Sequence, residues 1–149
     1  MGFLDVLQKK NMKVREFQSW GVYFRKRWED NFANHLSGEE KKDIFFYGDK
    51  YACGYLWHIF SYEKKECLEG TEAEGAFHNE VKKDCCIFYQ HCDDVLLIKD
   101  ASLVHMDDIL CERDDIYKGD IYIVDKAFTW TFVKTHEHRW CGPYFARKC

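Results

Sequence analysis

His136 and His138 stand two residues apart near the C-terminal end of the chain, with Glu137 between them and Cys141 shortly after. Imidazole and thiolate are the side chains a divalent metal prefers when it is held by nitrogen and sulfur. Side chains alternate along a strand, so two histidines spaced i and i+2 on a continuing strand would face the same way. Cys141 could then supply a third ligand, and a metal held by His136, His138 and Cys141 could support binding or hydrolysis. Cys141 beside either histidine also has the makings of a thiol nucleophile with a base. Against this, Glu137 would face away, and no further ligand follows at a defined spacing. The plainer alternative is a pair of partly exposed histidines at a strand end, with Cys141 packed at the Gly142–Pro143 turn. The chain has no H-E-x-x-H, no G-x-S-x-G and no glycine-rich phosphate loop. No Cys-x-x-Cys pair occurs, and Cys85, Cys86 and Cys92 do not have zinc-ribbon spacing. No catalytic residue is assigned. A divalent metal is the one cofactor left open.

The second signal is charge. The 149 residues carry a net charge of −4, but its distribution is uneven. Residues 84–125 hold ten Asp and one Glu against three Lys/Arg, whereas residues 1–30 hold seven basic against four acidic groups, and residues 126–149 five against one. The acid is densest at Asp93–Asp94, Asp107–Asp108 and Asp114–Asp115, all at expected loop positions. Such a face argues against nucleic acid, whose affinity rests on phosphate neutralisation, and suits a basic protein partner. A merely solubilising surface is the competing reading.

These groups must be positioned by something. From Val14 to Leu36 the apolar residues fall at Val14, Phe17, Gly21, Phe24, Trp28, Phe32 and Leu36, a helical spacing that predicts a long amphipathic helix. Ser37 with Glu40 is a capping-box pattern that predicts a helix over 38–46. Ala52, Leu56, Ile59 and Phe60 predict a third helix, with Trp57 as a core contact and His58 as a satisfied histidine. Thr71 with Glu74 predicts a fourth. The period then changes. Residues 85–89 and 95–98 read as one hairpin, and 120–124 and 129–135 as a second. Residues 102–111 could form a short helix across the sheet. In the second hairpin, Phe128, Trp130 and Phe132 are expected on the core face with Thr129 and Thr131 outward. The fold class expected is α+β: a helical N-terminal half packed on one face of a four-stranded antiparallel sheet, in a single domain over 1–149.

Laid out this way, the segments Tyr55–Tyr62, Cys67–Ala73, Ile123–Thr131, Thr135–Glu137 and Cys141–Phe145 resemble a family of small bacterial proteins of unknown function. The resemblance covers roughly Trp28 to Phe145. It implies bacterial origin, a cytoplasmic location and one compact domain. It brings no reaction, cofactor or catalytic residue. Cys85, Cys92 and Cys149 lie outside the shared pattern.

The chain has 12 Phe, 9 Tyr and 5 Trp, enough for a substantial core, and one proline. The early Asp5 and Lys9 interrupt any secretory apolar stretch, Val6 breaks the myristoylation pattern, and no apolar run approaches the ~20 residues that span a bilayer. A cytoplasmic protein with reduced thiols follows as the expectation, with Cys53 and Cys86 as core residues. The leading functional expectation is a non-enzymatic binding module of immunity or inhibitor type, with Asp93, Asp94, Asp114, Asp115 and Trp140 in its binding surface and a basic protein as partner. The alternatives are the His136/His138/Cys141 metal protein or hydrolase, and a small-ligand binder with a pocket lined by Trp57, Tyr62 and Trp140.

Overall fold

The computed structural model describes residues 7, 10, 13–48, 54–104, 120–137 and 140–148. Its centre is a seven-stranded antiparallel sheet in the order β1-β4-β3-β5-β6-β7-β2. The strands are β1 (Lys13–Phe17), β2 (Leu68–Glu69), β3 (Cys85–Tyr89), β4 (Val95–Lys99), β5 (Ile121–Asp125), β6 (Trp130–Lys134) and β7 (Tyr144–Arg147). The helices are α1 (Gly21–Phe32), α2 (Gly38–Asp43), α3 (His58–Ser61) and α4 (Thr71–Asn79), with a 3-10 turn at Ala101–Leu103.

This corrects the expected architecture. The four anticipated strands are present as β3, β4, β5 and β6, but three more join them, and among the described residues the helices are few and short. Lys13–Phe17 was expected to open a long helix; it pairs instead with β4, with Val14 opposite Ile98 and Phe17 opposite Val95. Ser19 at φ 67 interrupts any helix running through it, and α1 starts at Gly21. Val14 and Phe17 fit a helical spacing, but so short a pair cannot outweigh a free sheet edge. Of the third expected helix, Ala52 lies outside the described residues, and His58–Ser61 form the single turn of α3. The Ser37 cap is present as anticipated: Glu40 N donates to Ser37 Oγ at 3.1 Å, and Ser37 N to Glu40 Oε1 at 3.1 Å. The Thr71 cap is not, since Gly70 is the cap residue and makes no side-chain cap bond.

The sheet is covered on both faces, not one. Cys86, Phe88, Val95, Tyr122, Val124, Val133 and Tyr144 pack with Trp28, Phe32, Ile59 and Phe60. Cys85, Ile87, Leu96, Ile123, Phe132 and Phe145 pack on the opposite face with Ala73 and Phe77 of α4 and with Leu7, Ala101 and Val104. Hence β3, Cys-Cys-Ile-Phe-Tyr, is buried at every position, as a strand enclosed on both sides requires.

Two details correct the expected β6 faces. Trp130 and Phe132 do lie in the core, but Thr131 is equally buried on the other face. There it accepts a hydrogen bond from Trp28 Nε1 at 2.9 Å and donates to Ile123 O at 3.1 Å. Phe128, at φ 56, leaves strand geometry and turns onto the Trp28 face, beside Phe24.

Candidate functional site at the acidic end of the sheet

Antiparallel pairing decides which loops meet. Phe17 lies opposite Val95, Tyr89 opposite Ile121, Ile121 opposite Lys134, and Val133 opposite Tyr144. The segments 18–20, 90–94, 120, 135–137 and 140–143 therefore leave the sheet at one end. The candidate groups described here are gathered at this end, in two adjoining parts.

The first part centres on Asp120, whose side chain is 2% exposed. Asp120 Oδ1 accepts from Trp57 Nε1 at 3.0 Å, from His136 N at 2.9 Å and from His136 Nδ1 at 2.9 Å. A carboxylate only accepts, so Nδ1 carries a proton, and in the neutral ring the lone pair is on Nε2. Glu137 Oε1 lies 3.6 Å from that Nε2. The Tyr55 ring stands against His136 at 5.2 Å, His91 at 5.3 Å, His58 at 5.2 Å and Trp57 at 5.4 Å. Two hydrogen bonds tie this segment to the sheet end, and a third links their two acceptors. Leu56 N donates to Gln90 Oε1 at 2.9 Å, Trp57 N donates to Tyr122 Oη at 3.3 Å, and Tyr122 Oη donates to Gln90 Oε1. Burial pushes His91 below the usual imidazole range; Asp120 pulls it back, while Arg25 and His136 add to the depression. His58 uses Nδ1 to hold the turn at Ile44 O and Phe45 O, 2.8 and 3.0 Å away, and is the satisfied histidine expected.

His136 sits in a turn beyond the end of β6, so the regular strand that would align it with position 138 is not there. His138 lies outside the described residues. Cys141 is half-buried, with its backbone N donating to Glu137 O at 2.8 Å. Among the described residues, no three His, Cys, Asp or Glu side chains converge as a metal site. Asp120 was not singled out from the sequence, although an aspartate at the first position before a β-strand, sixteen residues from a histidine at the end of the next strand, is where hairpin pairing brings two loop ends together.

Cys85, Cys86 and Cys141 are not tuned as nucleophiles. Burial pushes Cys85 up to about 12 and Cys86 up to about 11 from 9.0, and burial raises Cys141 as well. The unfolded chain would ionise these groups near 9.0 while the fold keeps them protonated. Stability is therefore full below pH 9 and falls as pH rises from there toward about 11 to 12. Lys82, held below its ordinary value chiefly by burial, acts in the opposite direction just under 10.5 and offsets part of the loss. Urea unfolding at pH 7.5, 9 and 10.5 should show the decline. A Cys85→Ala/Cys86→Ala pair should flatten it by up to about 1.4 kcal/mol per pH unit for each thiol removed.

The second part is the loop after β3. Arg25 of α1 clamps it: Nη1 donates to Tyr89 O at 3.0 Å and Cys92 O at 3.1 Å, and Nη2 to Asp93 Oδ1 at 2.6 Å. Trp20 N and Gly21 N both donate to Asp93 O, at 3.1 and 2.9 Å. A side chain at Gly21 would lie 2.7 Å from Asp93 Cα, so glycine is required for this approach. Asp94 adjoins the clamp, and Cys92 Sγ donates to its Oδ2 at 3.4 Å. Beside these carboxylates Trp20, Val22 and Tyr23 are 51%, 65% and 55% exposed. They are not loose: Phe17, Trp20, Tyr23 and Phe24 form an edge-to-face chain with ring centroids 6.5, 5.7 and 5.6 Å apart, and Phe24 is in the core. Trp140 is 87% exposed in the turn after His136, and Tyr62 is exposed too. Of the pocket-lining residues considered from the sequence, only Trp57 is buried. Asp114 and Asp115 lie outside the described residues. The aromatic residues Trp20 and Tyr23 were missed because they were assigned to the interior of a long helix.

The fold and this end of it define a small antiparallel-sheet protein with a preformed polar and aromatic loop surface. The chain belongs to the family described as Domain of unknown function (DUF4275), whose model matches residues 1–145. No curated protein and no solved structure matches it. Among the described residues no helix is long and apolar enough to cross a membrane.

Proposed function

We propose that the protein is a non-enzymatic binding module, of immunity or inhibitor type, that presents the acidic and aromatic end of its sheet to a basic protein partner in the bacterial cytoplasm. One observation carries the reading: Trp20, Val22 and Tyr23 are exposed on an ordered aromatic chain directly beside Asp93 and Asp94. Exposed Trp and Tyr are the residues that most often dominate interface energy, and neighbouring carboxylates speed encounter with a cationic surface. Asp93 also holds Arg25, so Asp94 is the cleaner position for a charge reversal. With the partner in hand, Trp20→Ala and Tyr23→Ala should each raise the dissociation rate by roughly tenfold or more. Asp94→Lys should slow association and flatten its salt dependence. Association that is insensitive to both salt and Asp94→Lys would remove the acidic half of the proposal.

A second reading is favoured by the Asp120–His136 pair. A buried carboxylate on Nδ1 directs Nε2 outward, the orientation used by metal-ligating and proton-transferring histidines. It supports a metal-binding protein or a metal-assisted hydrolase that uses His136, with His138 and Cys141 as the neighbouring donors. The metal content of the purified, reduced protein decides it. One divalent ion per chain, lost in His136→Ala, supports this reading; a metal-free protein removes it.

A further inference from the structure

The opposite end of the sheet carries a second site, and we propose that it binds an amphipathic organic anion, a carboxylate or phosphate head group attached to an apolar tail. A cavity of about 510 Å³ opens at the corner formed by β1, β4, β3 and the turn after β5. Lys13, Arg15, Lys99 and Lys126 line it, over a floor that includes Leu97 and Cys86. The register explains the convergence. Arg15, Leu97 and Cys86 are cross-strand neighbours in one row, and Lys13 lies directly opposite Lys99 in another. Leu97 and Cys86 belong to the face that α1 covers further along, where Phe24 meets Phe88 and Phe128. At this corner Leu97 stays half-buried.

Three physical points select the ligand. Like charges directly opposite on neighbouring strands repel, and among the described residues none of Lys13, Arg15, Lys99 and Lys126 has an ion-pair partner. Asp84 is the one carboxylate in the lining, and its Oδ1 accepts from Asp100 N at 3.4 Å. A floor of Leu97 and Cys86 offers an inorganic ion at most one weak thiol donor but does cover an apolar group. The volume falls in the range of small-molecule sites. Edge-strand lysines also guard a sheet against further pairing, which accounts for Lys13 but not for Lys126, on the turn after β5, closing the same cavity.

Decanoate and decyl phosphate are the probes, titrated into the full chain by calorimetry and followed through backbone amide shifts. Saturable binding is expected, with shifts concentrated at residues 13–15, 85–86 and 97–99. The tighter of the two identifies the head group. Lys13→Gln/Lys99→Gln should weaken binding roughly tenfold. Lys126→Gln should weaken it too, without touching the edge strand. Inorganic phosphate and decyltrimethylammonium should bind far more weakly than either probe. The proposal is overturned if neither probe binds, if the shifts lie elsewhere, if the lysine variants bind unchanged, or if the cationic or inorganic control binds as well.

Discussion

Trp28→Ala should cost about 3–5 kcal/mol, a large part of the total stability of about 5–15 kcal/mol for domains of this kind. Trp28 is fully buried and is the residue through which α1 grips the sheet. Its indole meets Phe32, Phe60 and Tyr122 with centroids 5.1, 5.9 and 5.6 Å away, and its Nε1 donates to Thr131 across the face. Trp28→Phe should cost only about 1–2 kcal/mol, because Thr131 keeps Ile123 O as a partner and is not stranded. Urea unfolding of the two variants checks this. Equal costs would mean that the hydrogen bond, rather than the ring volume, holds α1. Because α1 also carries Val22 and Tyr23, loosening Trp28 should disturb the proposed recognition surface before the chain unfolds.

Asp120→Ala should cost about 2–4 kcal/mol: it strands the buried Trp57 Nε1 at about 1–3 kcal/mol, and it removes the acceptor of the part-buried His136 N, which water can partly replace. His136→Ala should cost much less, below about 1 kcal/mol, because its ring is 36% exposed and Asp120 keeps its other donors. Chemical unfolding of both variants tests this asymmetry. It matters for function: a costly His136→Ala would make the histidine a structural strut and remove the basis for an acid–base or metal role. A cheap one leaves Nε2 free of structural duty.

How far the sequence led is clearest strand by strand. Cys85–Tyr89, Val95–Ile98, Asp120–Val124 and Thr129–Thr135 were legible because each is an apolar, β-favouring run bounded by turn residues. The unbroken apolar character of residues 85–89, 95–98 and 121–124 also signals cover on both faces, since a half-exposed strand alternates; Thr129–Thr135 does alternate, and so suggests a one-sided sheet. β1 was hidden because Val14 and Phe17, three residues apart, fit a helical period and fall on opposite faces of a strand, so only the pairing with β4 reveals it. β2 and β7 are two and four residues long, too short for a periodic signature. The histidine at 136 was legible as a chemical group, but its partner Asp120 was not, because their meeting depends on the β5–β6 register. The acidic loop at Asp93–Asp94 was legible from composition. The aromatic residues beside it were not, because their exposure follows from α1 starting at Gly21.

The most direct test of the binding proposal places a photo-crosslinking residue at Tyr23 and, as a control, at Val81, which is 76% exposed elsewhere on the surface. Each variant is expressed in cells of the source organism, irradiated and resolved by mass. A single discrete adduct with a basic protein at position 23, absent at position 81 and lost with Asp94→Lys, is the expected result. No adduct at 23, or the same adducts at both positions, would contradict the assignment of this end of the sheet as the recognition surface.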